Sequence, residues 1–202
     1  MKLLFGLLAF FLSLFISLEA KAHNPDVSST LLVEQTEGKW LLQIRAALTA
    51  FEFQVEEHYG ENSYTSPEEF EQLVIDHVRK NISILFNQSD PIELQHGLVK
   101  LGHETSVTFE VKGVPTSFEL LTLKNSSFSD ITRNQGTLII LKEGFEKSKF
   151  TLNNTNDHTV NLKVDNSTLR EIAKAQGNNL SIYLLISVSL LLLLFVYFRF
   201  SS

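Results

Sequence analysis

The sequence predicts a mainly β (α+β) fold: an antiparallel β-sandwich-like domain with one or two inserted helices, plus a single C-terminal transmembrane helix. Three observations carry this. Short segments of alternating apolar and polar residues recur between turn signals from Val27 to Val164, the period of half-buried strands. The stretch from Ser66 to Asn81 switches to helical spacing behind a well-formed start signal. Leu180 to Phe198 reads LSIYLLISVSLLLLLFVYF, with no charge and no proline. At about 1.5 Å per residue a helix of that length covers about 28 Å, the hydrocarbon thickness of a bilayer.

Met1 to Ala22 has the layout of an export signal. Lys2 supplies the positive start, Leu3 to Leu18 the apolar run, and Ala20-Lys21-Ala22 a small-x-small cleavage site. The mature chain is expected to begin at His23. The apolar run is long for a signal, so an uncleaved N-terminal anchor is the competing reading; the Ala-Lys-Ala triplet favours cleavage. The chain has no cysteine, which excludes disulfides and a lipid anchor on an N-terminal Cys.

The exported domain is expected to span residues 23–164, enough for one real core without staples. The 202-residue chain carries a formal charge of -6, which argues against nucleic acid or anionic lipid as a partner. Its 44% hydrophobic content is that of a folded protein.

Val27 to Thr36 and Lys39 to Leu48 alternate around the turn signal Glu37-Gly38 and predict a hairpin. Thr49 to Tyr59 is ambiguous. Phe51, Val55 and Tyr59 fit a helix, whereas Phe51, Phe53 and Val55 fit a strand; helix is the reading adopted. The next helix is marked by Ser66 as N-cap, Pro67 at the first turn and Glu69 completing a capping box. Phe70, Leu73, Val74, His77 and Val78 form its apolar face, and Asn81 ends it.

The remainder reads as strands: Ile82–Phe86, Ile92–Leu101, Thr105–Val111, Ser117–Leu123, Thr137–Leu141, Phe150–Leu152 and Val160–Val164. The fourth and fifth of these are largely apolar, as central strands are. Residues 165–179 read as a polar stalk, 180–198 as the anchor and 199–202 as a cytoplasmic tail. Tyr183 and Tyr197 suit the two interfaces, and the signal puts the domain outside.

The six histidines are the first place to look for chemistry. A mature His23 offers an amine and an imidazole from one residue, a pair that binds Cu(II) when another imidazole completes the site. His58, His77, His96, His103 and His158 are the available partners, and His23, His96 and His103 make the candidate metal set, for copper or nickel. The spacing contains no His-x-x-x-His, and the plainer reading is a set of surface or half-buried histidines, with His77 packed in the core. The acidic runs Glu56-Glu57 and Glu68-Glu69-x-Glu71 fit a solvated face and a helix N-terminus better than an acid–base pair. No nucleophile elbow, phosphate loop or nucleotide fingerprint occurs, so no enzyme activity and no resident cofactor is expected. Asn-x-Ser/Thr triplets occur at Asn81, Asn87, Asn125, Asn153, Asn166 and Asn179; they matter only in a eukaryotic secretory pathway, and a cysteine-free exported domain fits a bacterium better.

The signal ending in Ala-Lys-Ala, Ala22-His23, the first strand Val27-Ser-Ser-Thr-Leu-Leu, Gly38-Lys-Trp leading into Ala46–Glu57, and Asn134-Gln135 before a strand together resemble the exported N-terminal domain of HupE/UreJ-type membrane proteins. A group of uncharacterised exported bacterial proteins is similar. The resemblance covers residues 22–164. HupE/UreJ-type proteins continue into several membrane helices and are associated with nickel or cobalt uptake. This chain has one anchor and no membrane ligand set. What the resemblance implies is an exported domain attached to a metal-handling or envelope complex. The expectation is therefore a non-enzymatic, single-pass protein of the bacterial cell envelope. It sits in the inner membrane with its domain in the periplasm and binds a protein partner; the alternative is a metal-binding accessory domain using His23.

Overall fold

The computed structural model describes residues 27–88 and 90–172. The expected export signal, His23, the apolar segment 180–198 and the expected tail 199–202 lie outside them. Among the described residues no helix is long and apolar enough to cross a membrane.

Eleven strands and two helices follow one another along these residues. They are β1 (Val27–Glu34), β2 (Trp40–Ala47), α1 (Leu48–Tyr59), α2 (Pro67–Asn81), β3 (Ile82–Phe86), β4 (Asp90–Pro91), β5 (Glu93–Lys100), β6 (Glu104–Lys112), β7 (Leu120–Asn125), β8 (Gln135–Leu141), β9 (Ser148–Leu152), β10 (Thr159–Asp165) and β11 (Thr168–Glu171). They form a six-stranded sheet, β5-β6-β2-β1-β8-β9, and a five-stranded sheet, β11-β10-β7-β3-β4. The β-rich α+β class expected from the sequence is what the chain adopts.

One pairing departs from the antiparallel expectation. β1 forms its hairpin with β2, and its other edge is taken in parallel by β8, Leu31 opposite Ile139 and Leu32 opposite Ile140. A parallel pair needs a long crossover. Here the crossover is the whole chain between β1 and β8, which includes both helices and strands of both sheets.

Alternation along each strand decides what is buried. Leu32, Leu42, Ile44, Val107, Phe109, Leu138 and Ile140 of the six-stranded sheet share one core with Ile84, Phe86, Leu121, Leu123, Val160 and Leu162 of the other. Trp40 and Phe86 meet edge to face across the two sheets, 6.4 Å between ring centres. Buried Asn125 at the end of β7 donates from Nδ2 to Thr30 Oγ1 of β1 at 2.8 Å, a second tie between the layers.

The helices add Phe51, Val55, Phe70, Val74 and Val78 to the same core. α2 forms for the reasons legible in its sequence: the Ser66 side chain accepts from the Glu69 N–H and Pro67 opens the first turn. Glu69 Oε2 reaches back to accept from the N–H and the hydroxyl of Thr65. α1 settles the ambiguity of Thr49–Tyr59, with Phe51 and Val55 buried and Phe53 turned outward at 42% exposure. Gly97 lets α2 approach β5: a Cβ there would stand 2.8 Å from Ile75 Cγ2 and 3.0 Å from Phe109 Cε1.

The sheet also runs further than the sequence suggests. A tight turn at Asn166 and Ser167, both in the left-handed region, sends β11 back along β10, with Val164 opposite Leu169. The polar stalk expected from Asp165 therefore gives way to sheet as far as Glu171. Polar composition conceals this edge strand because only Leu169 of β11 is buried.

Candidate functional site

The two sheets differ on their outer faces. On the five-stranded sheet the outward positions are mostly polar, Ser83, Lys124, Thr122, Asn161, Thr159 and Lys163, with Leu85 and Leu120 separate among them and Thr122 Oγ1 donating to Asn161 Oδ1 at 2.8 Å. The outer face of the six-stranded sheet carries an aliphatic patch beside the polar positions Ser29, Gln43, Arg45, Ser106, Thr108 and Thr137. Leu41, Val33 and Leu141 lie side by side across β2, β1 and β8; Leu31 and Ile139 form the next row. All five are half-buried, and none packs against the core. Leu98 on β5, opposite Thr108, stands beyond them at 69% exposure. Side chains on neighbouring strands are about 5 Å apart, so these rows are one continuous surface.

The charged groups around this surface are not equivalent. Glu104 is held by Arg45 at 2.7 Å. Glu110 is bound by Lys112 and by His96 Nδ1, which holds its carboxyl below the usual range, the Lys112 bond contributing most. Lys100 and Lys149 project from β5 and β9 on the same face, exposed. The rim thus leaves positive charge to offer.

A second cluster joins α1, α2 and the segment that follows β7. His58 Nε2 lies 2.8 Å from Asp130 Oδ2, and the rings of His58 and His77 are 4.9 Å apart. His77 Nε2 is 2.8 Å from the Ser127 carbonyl oxygen. A carbonyl only accepts, so Nε2 carries the proton and donates. Burial holds the His77 imidazole below the usual histidine range, and His58 and Lys80 push the same way; Asp130 and the Ser127 carbonyl oppose them. One turn back on α1, Gln54 is fully buried with neither amide atom partnered; the Ser127 hydroxyl is also buried and unpartnered. His77 addresses the carbonyl of Ser127 and not its hydroxyl, so the two are not a nucleophile and its base.

The remaining histidines lie apart. His96 sits at the irregularity in β5 between Gln95 and Leu98, with φ of 51°, on the Glu110 side of the sheet. His103 occupies the β5–β6 turn and lines a cleft of about 410 Å³ with Val27, Ser28, Ser29, Arg45, Glu104 and Thr137. His158 is buried, its Nε2 2.8 Å from Asn154 Oδ1, and burial lowers its pKa. Of the candidate metal set, then, the structure does not bring His96 and His103 together, and His23 lies outside the described residues. Among the described residues no three His, Asp or Glu side chains are grouped to hold a metal ion. Sequence reasoning did not find the pairing of His58 with His77. The signal was available only in part: His77 falls on the core-facing side of its helix, but His58 is exposed at the end of α1 and Asp130 comes from a distant loop.

Comparison with known proteins finds no family model and no curated protein that matches this chain.

Proposed function

We propose that this chain is a non-enzymatic, membrane-anchored exported protein of the bacterial envelope, and that its domain binds a protein partner through the outer face of the six-stranded sheet. The observation that supports this reading is the aliphatic surface of Leu31, Val33, Leu41, Ile139 and Leu141, none of which packs against the core. Burying apolar area is worth about 25 cal/mol per Å², so such a surface favours a covering partner. The surrounding charge narrows the partner's chemistry. Lys100 and Lys149 are exposed, whereas Glu104 and Glu110 are already neutralised. The partner is therefore a protein with an apolar centre and an acidic rim.

The export signal and the segment 180–198 supply location: a domain outside the inner membrane, tethered by one span, with no nucleic acid involved. The test is crosslinking in intact membranes followed by purification of the full chain. The native chain is expected to bring down one specific protein, and Ile139→Lys to lose it while remaining folded. Equal recovery with both chains contradicts the reading.

A further inference from the structure

We infer that the cleft between the first turns of α1 and α2 is a binding site for a small organic cation with an apolar body. Its ammonium group is held by the Glu52 carboxylate and the ring pair Tyr64–Phe70. The cleft measures about 300 Å³ and is lined by Leu48 and Glu52 of α1, Tyr64, Pro67 and Phe70 at the start of α2, and Leu101 beyond β5. Small-molecule sites occupy about 300–1,000 Å³ and combine hydrocarbon and aromatic walls with few polar groups. Leu48 and Glu52 are one helical turn apart on one face of α1, so the carboxylate stands beside apolar wall. The Tyr64 and Phe70 rings lie 4.8 Å apart, inclined at 52°, and supply the aromatic part of the lining.

The polar groups decide the sign of the ligand's charge. A helix start ordinarily favours an anion. Here that end is already satisfied. The Ser66 hydroxyl accepts from the Glu69 N–H, Thr65 donates its N–H and hydroxyl to Glu69 Oε2, and Glu68 and Glu69 lay carboxylates on the first turn. Half-buried Glu52 has no ion-pair partner among the described residues. No Lys or Arg occurs from Ala46 to Val78, a stretch that carries Glu52, Glu56, Glu57, Glu61, Glu68 and Glu71. The cations nearest in sequence are engaged or face away. Arg45 binds Glu104, and Lys100 projects from the outer face of β5. Arg79 and Lys80, at the far end of α2, lie over the rings of Phe109 and Tyr59 at 5.4 and 5.3 Å. Tyr64 and Phe70 offer a ligand the same kind of contact. An ammonium group on an apolar body uses all three features: aromatic rings, one carboxylate and hydrocarbon walls. The inference does not rest on export, on the anchor or on what covers the six-stranded sheet.

The experiment is calorimetric titration of the full chain in neutral detergent with phenethylammonium, empty micelles serving as the blank. Phenylacetate and 2-phenylethanol, which keep a similar body without the positive charge, are the comparison probes. Saturable binding of one phenethylammonium per chain is expected. Glu52→Gln should weaken it about tenfold or more, whereas Glu56→Gln, which removes the same charge one turn along α1 and outside the cleft, should match the native chain. Tyr64→Leu should weaken it several-fold with the urea midpoint monitored to confirm folding. 2-Phenylethanol should bind about tenfold or more weakly than phenethylammonium, and phenylacetate more weakly still. No saturable binding of phenethylammonium overturns the inference. So does equal binding of the three probes, or equal affinity in the native, Glu52→Gln and Glu56→Gln chains. The crosslinked partner of the sheet face is a separate result under every one of these outcomes.

Discussion

Leu31 of β1 and Ile139 of β8 are register partners across the one parallel ladder of the six-stranded sheet, and both side chains point away from the core. The next residue, Leu32, points the other way and is completely buried. Two leucines adjacent in sequence are therefore assigned different work.

That contrast is measurable. Leu32→Ala should cost about 2–5 kcal/mol in denaturant unfolding, the usual penalty for a core cavity. Leu31→Ser should cost about 1 kcal/mol or less. A Leu31→Ser loss as large as that of Leu32→Ala would show that the outer face belongs to the fold and not to a partner.

The buried histidines give the fold a pH dependence of definite sign. Burial lowers the pKa of His77 and of His158. A histidine whose folded pKa is depressed binds fewer protons folded than unfolded. Its contribution is fully present above the unfolded value of about 6.5 and is lost as pH falls below it. The urea midpoint should therefore drop between about pH 7 and pH 5.5, and His77→Gln should flatten part of that drop. His77→Gln keeps an amide N–H that can donate to the Ser127 carbonyl, so its stability at pH 7 should fall by about 1 kcal/mol or less. A variant whose pH profile runs parallel to the native one would exclude His77 as a source.

Gln54 holds a buried amide with no protein partner for either atom. Gln54→Met keeps the volume and removes the polar group. Stability should rise by about 1–2 kcal/mol, since an unsatisfied polar group in the interior costs about that much. A loss of similar size would mean that ordered water satisfies the amide.

Ser66 caps α2 through its hydroxyl. Ser66→Ala should cost about 1 kcal/mol, and Ser66→Asp should restore most of it by accepting from the same N–H. Equal stability of all three chains would place the start of α2 under the control of packing alone.

How much of this could be read in advance depends on range. α2 was legible because its cap, its proline and its apolar face are all local: Ser66, Pro67 and Phe70–Val78 act over two or three turns. α1 was half legible, since Phe51, Phe53 and Val55 satisfy two periods and only packing against Phe128 and the core chose between them. Apart from β4 and β11, the strands were found within a few residues because alternation is also local. The parallel pairing of β1 with β8 was not legible, because nothing in either strand reports a partner as distant in sequence as Ile139 is from Leu31. β11 was missed for want of apolar residues. The metal set shows the same limit: His96 and His103 are seven residues apart in sequence, yet a strand holds them at different ends of the sheet. The outer face was visible only as half of each alternating strand, and the register had to be known before Leu31, Val33, Leu41, Ile139 and Leu141 became one surface.

The most direct measurement is photocrosslinking in living membranes from a light-activated residue placed at Leu31, with Thr122 on the outer face of the other sheet as its control. The account predicts one discrete crosslinked protein from position 31 and none from position 122. Equal crosslinking from the two positions, or none from position 31, would contradict it.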